Sequence, residues 1–246
     1  MSSVSKRGIA ILQAVLLLTL SFCTGIAPAQ ERPAQERPPA APPSQERPPA
    51  GQAAPAAAEK KTPPPEEKSS RTTRTVRIGD VDIKYTATAG TLLLKKEDGT
   101  PRASIFYIAY TRDDGGDPTR RPVTFTFNGG PGSSSVWLHL GAFGPRRVSM
   151  GDVGSLAAPP YRMVDNENSI LDVTDLVFID PVTTGYSRAI PSDAAKQFHG
   201  IQEDLESVGE FIRLWTTRNE RWSSPKFLAG ESYGTTRAAG LSGELG

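Results

Sequence analysis

Along this chain the spacing of apolar and polar positions changes character near residue 75. Residues 76–86 and 91–96 alternate and read as strands, and Glu97-Asp98-Gly99 after them is a hairpin turn signature. Residues 103–111 (Ala-Ser-Ile-Phe-Tyr-Ile-Ala-Tyr-Thr) supply the next strand. The runs 123–127 and 176–179 are apolar enough to be strands buried on both faces of a parallel sheet. Over 193–219, Phe198, Ile201, Leu205, Val208, Ile212 and Trp215 recur every three or four residues, which predicts one long helix with an apolar stripe. Residues 226–229 read as a short strand and 235–245 as a helix. Antiparallel strands first and strand–helix–strand afterwards predict an α/β fold, a three-layer sandwich around a mostly parallel central sheet. It is expected to occupy 75–246 as one domain, begun here and not finished.

Ahead of residue 75 neither rhythm is present. Lys6 and Arg7 precede an apolar run over 8–22, and Ala27-Pro28-Ala29 offers small residues at cleavage spacing, so 1–29 reads as a secretory signal peptide with Gln30 as the mature start. The alternatives are an uncleaved membrane anchor and a lipid-anchored Cys23, the latter disfavoured by the bulk of Phe22. Residues 30–74 repeat Gln-Glu-Arg-Pro at Gln30, Gln35 and Gln45 and continue through Pro63-Pro64-Pro65. Such a stretch buries too little apolar surface to offset its ordering entropy, and a disordered, polyproline-like tether is expected; a proline-motif ligand is the functional alternative.

Charge narrows the classes. With 28 Lys and Arg against 27 Asp and Glu, and no basic block interleaved with aromatics, a nucleic-acid partner is not expected. The single cysteine, Cys23, falls in the segment expected to be removed, which leaves neither a disulfide nor a cysteine-based metal site. Export to the periplasm or the extracellular space follows, with no membrane span after cleavage.

The candidate chemistry sits on two glycine-rich turns. Gly230-Glu231-Ser232-Tyr233-Gly234 has the Gly-x-Ser-x-Gly pattern of a nucleophile elbow between a strand and a helix, where the helix N-terminus faces the charge that develops on the attacked carbonyl. Asn128-Gly129-Gly130-Pro131-Gly132-Ser133-Ser134-Ser135 follows the buried strand 123–127, where an α/β hydrolase places its second oxyanion donor. A phosphate loop is the competing reading, but Gly-Lys-Ser/Thr is lacking and Pro131 removes a donor.

Together with Asp180-Pro181-Val182-Thr183-Thr184-Gly185-Tyr186-Ser187, these two turns resemble, in order and separation, the three signatures of the serine carboxypeptidases. Gly144-Pro145, residues 166–170 and Ile105-Phe106-Tyr107 resemble lesser landmarks of that family, and the similarity runs from about residue 76 to the C-terminus. The resemblance implies an α/β-hydrolase fold and an exopeptidase acting on peptides with a free C-terminus, without a cofactor or metal. Carried over by position, Ser232 is the nucleophile. The N–H groups of Gly130 and Tyr233 hold the oxyanion. Asn128, Gly129 and Glu231 bind the substrate's terminal carboxylate. Glu231 suits that role only when protonated, which burial near a carboxylate would favour, so activity is expected to prefer acidic pH. The chain departs from the family at Thr126, usually Trp; at Ser133, often Cys; and at Ala142-Phe143, where many members carry a second glutamate. The lack of cysteine suits a bacterial member.

The family's triad continues Ser, Asp, His, whereas residues 233–246 contain neither Asp nor His. The chain reads as an N-terminal portion and is expected to be inactive by itself. His199 is expected at the surface or in packing, and His139 on a short helix after the oxyanion turn. Trp137, Trp215 and Trp222 are read as packing residues. An esterase or acyl transferase of the same fold and a short, non-catalytic peptide binder are the alternatives.

Overall fold

The computed structural model describes residues 65–151 and 158–245. The expected signal peptide, Cys23 and the tether up to residue 64 lie outside the described residues. Nine strands are present among those described: β1 Ser69–Ile78, β2 Val81–Lys95, β3 Pro101–Arg112, β4 Val123–Phe127, β5 Arg146–Val148, β6 Met163–Asp165, β7 Asp175–Ile179, β8 Arg188–Ala189 and β9 Lys226–Gly230. The helices are α1 Val136–Leu138, continued by a π turn over His139–Phe143, α2 Ile201–Arg218 and α3 Tyr233–Glu244, with a 3-10 helix at Ser192–Phe198.

The main sheet runs β1-β2-β3-β7-β4-β9, with β8 paired to β3. β1, β2, β3 and β7 pair antiparallel in that order, while β4 lies parallel to both β7 and β9. Side chains alternate across the sheet as the pleat requires. Val123, Phe125, Phe127, Val177 and Ile179 join Val208, Phe211, Trp215 and Leu241 of α2 and α3 in one core. Leu176, Phe178 and Tyr110 point to the other face, where Leu138, Phe143 and Leu171 cover them. Helix, sheet and a second covering layer make the three-layer α/β architecture that the pattern predicted.

Three boundaries differ from the sequence reading, each for a physical reason. Residues 76–86 are not one strand, because Gly79, at φ 56°, turns the chain between β1 and β2. The tether does not reach residue 74: β1 begins at Ser69 and pairs Ser69 with Gly90 through Arg74 with Tyr85. Its first seven residues are all exposed, so this edge strand shows no apolar alternation. Glu67 fastens its approach by accepting from the Leu93 N–H at 2.9 Å and pairing with Arg218. The long helix is split at His199-Gly200, where Gly200 is extended (φ −75°, ψ 158°) and caps α2. Among the described residues no helix is long and apolar enough to cross a membrane.

Candidate active site

The site forms where β4 and β9 end side by side. Phe127 pairs with Gly230, so the two glycine-rich turns leave the sheet together. After β9 the chain reverses sharply: the Gly234 N–H donates to the Glu231 carbonyl at 2.8 Å and the Thr235 N–H to the Ser232 carbonyl at 2.9 Å. Ser232 at the apex has φ 56° and ψ −126°, a conformation L-residues with a side chain adopt only when the surroundings enforce it. Close backbone passes supply the enforcement. A Cβ on Gly230 would lie 2.0 Å from the Gly234 carbonyl oxygen, and one on Gly234 would lie 2.6 Å from that of Phe127. On the facing turn, a Cβ on Gly129 would meet the Tyr233 nitrogen at 2.4 Å. The two turns therefore interlock through backbone that only glycine permits.

The side chains expected to act meet at this junction. Asn128 is fully buried; its Oδ1 accepts from the Leu138 N–H at 3.1 Å, which leaves Nδ2 to donate to Glu231 Oε2 at 3.1 Å. Ser232 and Glu231 are both exposed and line a cleft of about 490 Å³ with Gly130, Ser133 and Trp137. The burial expected to keep Glu231 protonated is thus missing. Gly130 (φ 111°) and Gly132 (φ 113°) bend the first turn around Pro131. A second cavity of about 390 Å³ lies on the other flank, bounded by Pro131, Gly132, Val182, Phe198, His199 and Tyr233.

The third motif is a clip. The Asp180 carboxylate accepts from the Ser135 N–H at 2.9 Å and from the Tyr186 N–H at 3.3 Å, fastening the oxyanion turn to the end of β7. Burial pushes the Asp180 pKa upward, and those two donors oppose it. A Cβ on Gly185 would fall 1.8 Å from Asp180 Oδ2, which explains the glycine. Ser187 Oγ donates to the Asp180 carbonyl at 2.6 Å and accepts from the Phe106 N–H at 2.8 Å, drawing β3 into the same clip. The lesser landmarks join likewise: Asn166 Nδ2 donates to the Ala142 and Gly144 carbonyls at 2.7 and 2.8 Å, holding the π turn behind the site.

Two site-supporting residues escaped the sequence reading. Arg237 is buried beneath the elbow, where it donates to the Asn128 carbonyl at 2.8 Å and pairs with Asp204 of α2 at 2.9 Å. Its guanidinium lies 5.2 Å from the ring centroids of both Phe127 and Tyr233. A lone arginine amid small residues in the helix after an elbow was the available signal.

Neither histidine is placed as a base for Ser232. His139 sits under the sheet, its Nε2 2.6 Å from the Tyr110 hydroxyl and its ring 4.7 Å from Phe178; burial pushes its pKa down to about 4. His199 is exposed, with Nε2 3.2 Å from Thr183 Oγ1. Among the tryptophans only Trp215 is a packing residue, at 1% exposure. Trp137 and Trp222 are 69% and 59% exposed, which corrects the expectation for both: among the described residues, neither belongs to a buried core cluster.

Comparison with known proteins bears on this geometry. A family model described as serine carboxypeptidase matches residues 84–244. The pheromone-processing carboxypeptidase KEX1 of Saccharomyces cerevisiae is 33% identical over 156 residues, 59% of this chain and 20% of that protein. Serine carboxypeptidase-like 19 of Arabidopsis thaliana is 28% identical over 144 residues, 56% of this chain and 28% of its own length. The crystal structure of the yeast prohormone-processing carboxypeptidase superposes with a TM-score of 0.53 at 24% identity, covering 65% of this chain and 34% of that one. The chain therefore spans between a fifth and about a third of the relatives it matches.

Proposed function

The chain belongs to the serine carboxypeptidase family, and from that premise we propose that it carries the acyl-forming half of an exported carboxypeptidase site. The observation that carries the reading is Ser232 held at φ 56° on an exposed apex, locked against Gly129 of the facing turn. The substrate's terminal carboxylate is gripped by Asn128 Nδ2, the Gly129 N–H and Glu231. Its scissile carbonyl lies over Ser232. The Ser232 oxygen attacks that carbon, and the Gly130 and Tyr233 N–H groups hold the oxyanion. When the tetrahedral species collapses, the C–N bond breaks, the leaving amino acid takes a proton, and an ester to Ser232 remains for water to cleave. Accepting the serine proton requires a base. His139 and His199 are engaged elsewhere and no histidine follows Ser232, so this reading assigns the base and its orienting carboxylate to no residue of this chain.

In the same reading, 1–29 directs export, 30 to the start of β1 is a tether, and the remainder is the peptidase portion. Asn128 Nδ2 donates to Glu231 Oε2, which ties together the two side chains of the proposed carboxylate grip.

Product analysis on the full-length protein tests the reading. Acetylated tripeptides should lose single residues from the C-terminus, and Ser232→Ala should lower that rate by about 10⁴-fold or more. Cleavage at internal bonds, or turnover of esters alone, would falsify it.

A further inference from the structure

Asn128 is held at three points, and one of the holders lies outside the two glycine-rich turns. Its side-chain amide is fixed at both ends, by the Leu138 N–H and by Glu231, while its carbonyl accepts from Arg237 Nη1 at 2.8 Å. Arg237 stands on α3 one helical turn after Tyr233 and is 2% exposed. Its Nε and Nη2 donate to the two carboxylate oxygens of Asp204, in the first turn of α2, at 2.9 and 3.3 Å. The Phe127 and Tyr233 rings flank the guanidinium, each 5.2 Å away. Among the described residues this is the one ion pair with a member bonded to either turn.

The carbonyl that Arg237 grips belongs to the peptide unit whose other end is the Gly129 N–H. That unit is trans, so its N–H points away from its C=O. The N–H is therefore turned away from the buried pair, and among the described residues it meets no acceptor. Position 129 has to be glycine, because a Cβ there would lie 2.4 Å from the Tyr233 nitrogen. Glycine also lets the peptide plane rotate at low cost. A donor fixed beneath the carbonyl removes that freedom, and by polarising the peptide it strengthens the N–H as a donor. Arginine and aspartate together bring no net charge, so the pair acts through geometry.

We propose that Arg237, clamped by Asp204, is a positioning residue: by locking the Asn128–Gly129 peptide it aims the Gly129 N–H at the substrate's terminal carboxylate. The inference rests on the carboxylate grip proposed above and adds what orients it. A buried ion pair is worth little more to stability than an apolar pair of similar size. An N–H turned away from a carboxylate, by contrast, forfeits a charge-assisted hydrogen bond, about tenfold in affinity.

Two double variants remove the donor without stranding a charge: Asp204→Leu with Arg237→Met, and Asp204→Asn with Arg237→Gln. Each is made in the full-length protein carrying Ser232→Ala, so that binding is read without turnover. Acetyl-Ala-Phe and its C-terminal amide are then titrated by calorimetry. The acid should bind about tenfold more weakly than to the Ser232→Ala parent, and the amide within about twofold of it. The thermal midpoint of at least one double variant should stay within a few degrees of the parent's. Unchanged acid affinity in a folded double variant, or equal losses for acid and amide, overturns the inference and leaves the pair a packing element. Failure of both double variants to fold overturns it too, since the pair would then be needed for the fold itself. A parent that binds the acid no more tightly than the amide rejects the carboxylate grip, and this inference with it.

Discussion

The parallel strands β4 and β7 carry polar clusters at both ends, and the two clusters are built on opposite rules. At their N-terminal ends Asp175 is 2% exposed and both of its carboxylate oxygens are engaged. Oδ1 takes the Arg112 N–H at 3.0 Å and Arg121 Nε at 2.8 Å, and Oδ2 takes Arg221 Nη1 at 2.7 Å. The arginines spend their other donors on the Leu171 and Arg121 carbonyls and on Ser224. At the C-terminal ends of β4 and of its other neighbour, β9, the backbone is bent out of its preferred range at Ser232, and a hydroxyl and a carboxylate are left facing solvent. Saturated polar groups hold a fold together, whereas unsatisfied ones wait for a ligand. The difference matches the general placement of ligand sites at the carboxyl ends of strands in α/β sheets.

The sharpest way to break this comparison is at the saturated end. Asp175→Ala leaves Arg121 and Arg221 buried without a counter-charge and should cost about 3–5 kcal/mol in urea denaturation. A loss below about 1 kcal/mol would show that this end is not what stabilises the sheet.

A smaller effect is expected beneath the sheet. The His139 pKa is lowered from 6.5 to about 4 by burial, so the folded protein binds fewer protons there than the unfolded chain between those values. Stability from this group is complete above pH 6.5 and drains away as pH falls toward 4, by up to about 3 kcal/mol. Asp180, whose pKa burial raises, works the other way just above the ordinary carboxylate value. His139→Leu isolates the histidine: the difference between the two pH-stability curves should flatten above pH 6.5 and grow below it. Equal slopes in wild type and variant would remove the argument.

The smallest effect belongs to the strained end. Ser232→Gly should relieve the left-handed φ and raise stability by roughly 1 kcal/mol, a few degrees in the thermal midpoint, while abolishing turnover of the full-length protein. A stability decrease would mean that Ser232 is not strained.

Much of this was legible in the sequence because it is local. The elbow, the oxyanion turn and the Asp180 motif are runs of five to eight residues whose glycines mark tight backbone, and the structure brings Asn128, Gly129, Gly130, Glu231, Ser232 and Tyr233 to one junction. The buried strands announced themselves by composition. Less legible was the edge strand, whose early residues are polar on both faces, and the break at Gly200, which falls inside an unbroken apolar stripe.

By itself, then, the sequence determined where the glycine-rich turns lie, which family the chain belongs to and which sheet class it folds into. Tertiary structure decided what each of the ambiguous residues is for. His139 became a core residue because Tyr110 and Phe178 close over it from strands β3 and β7. Arg237 became a prop under the elbow because Asp204 of α2 meets it. Trp137 became a cleft wall because, among the described residues, it is left 69% exposed beside Ser232. The reason is the range of the forces involved. Backbone conformation and periodicity are set by neighbours a few residues away, whereas burial and charge pairing depend on segments that only folding brings together.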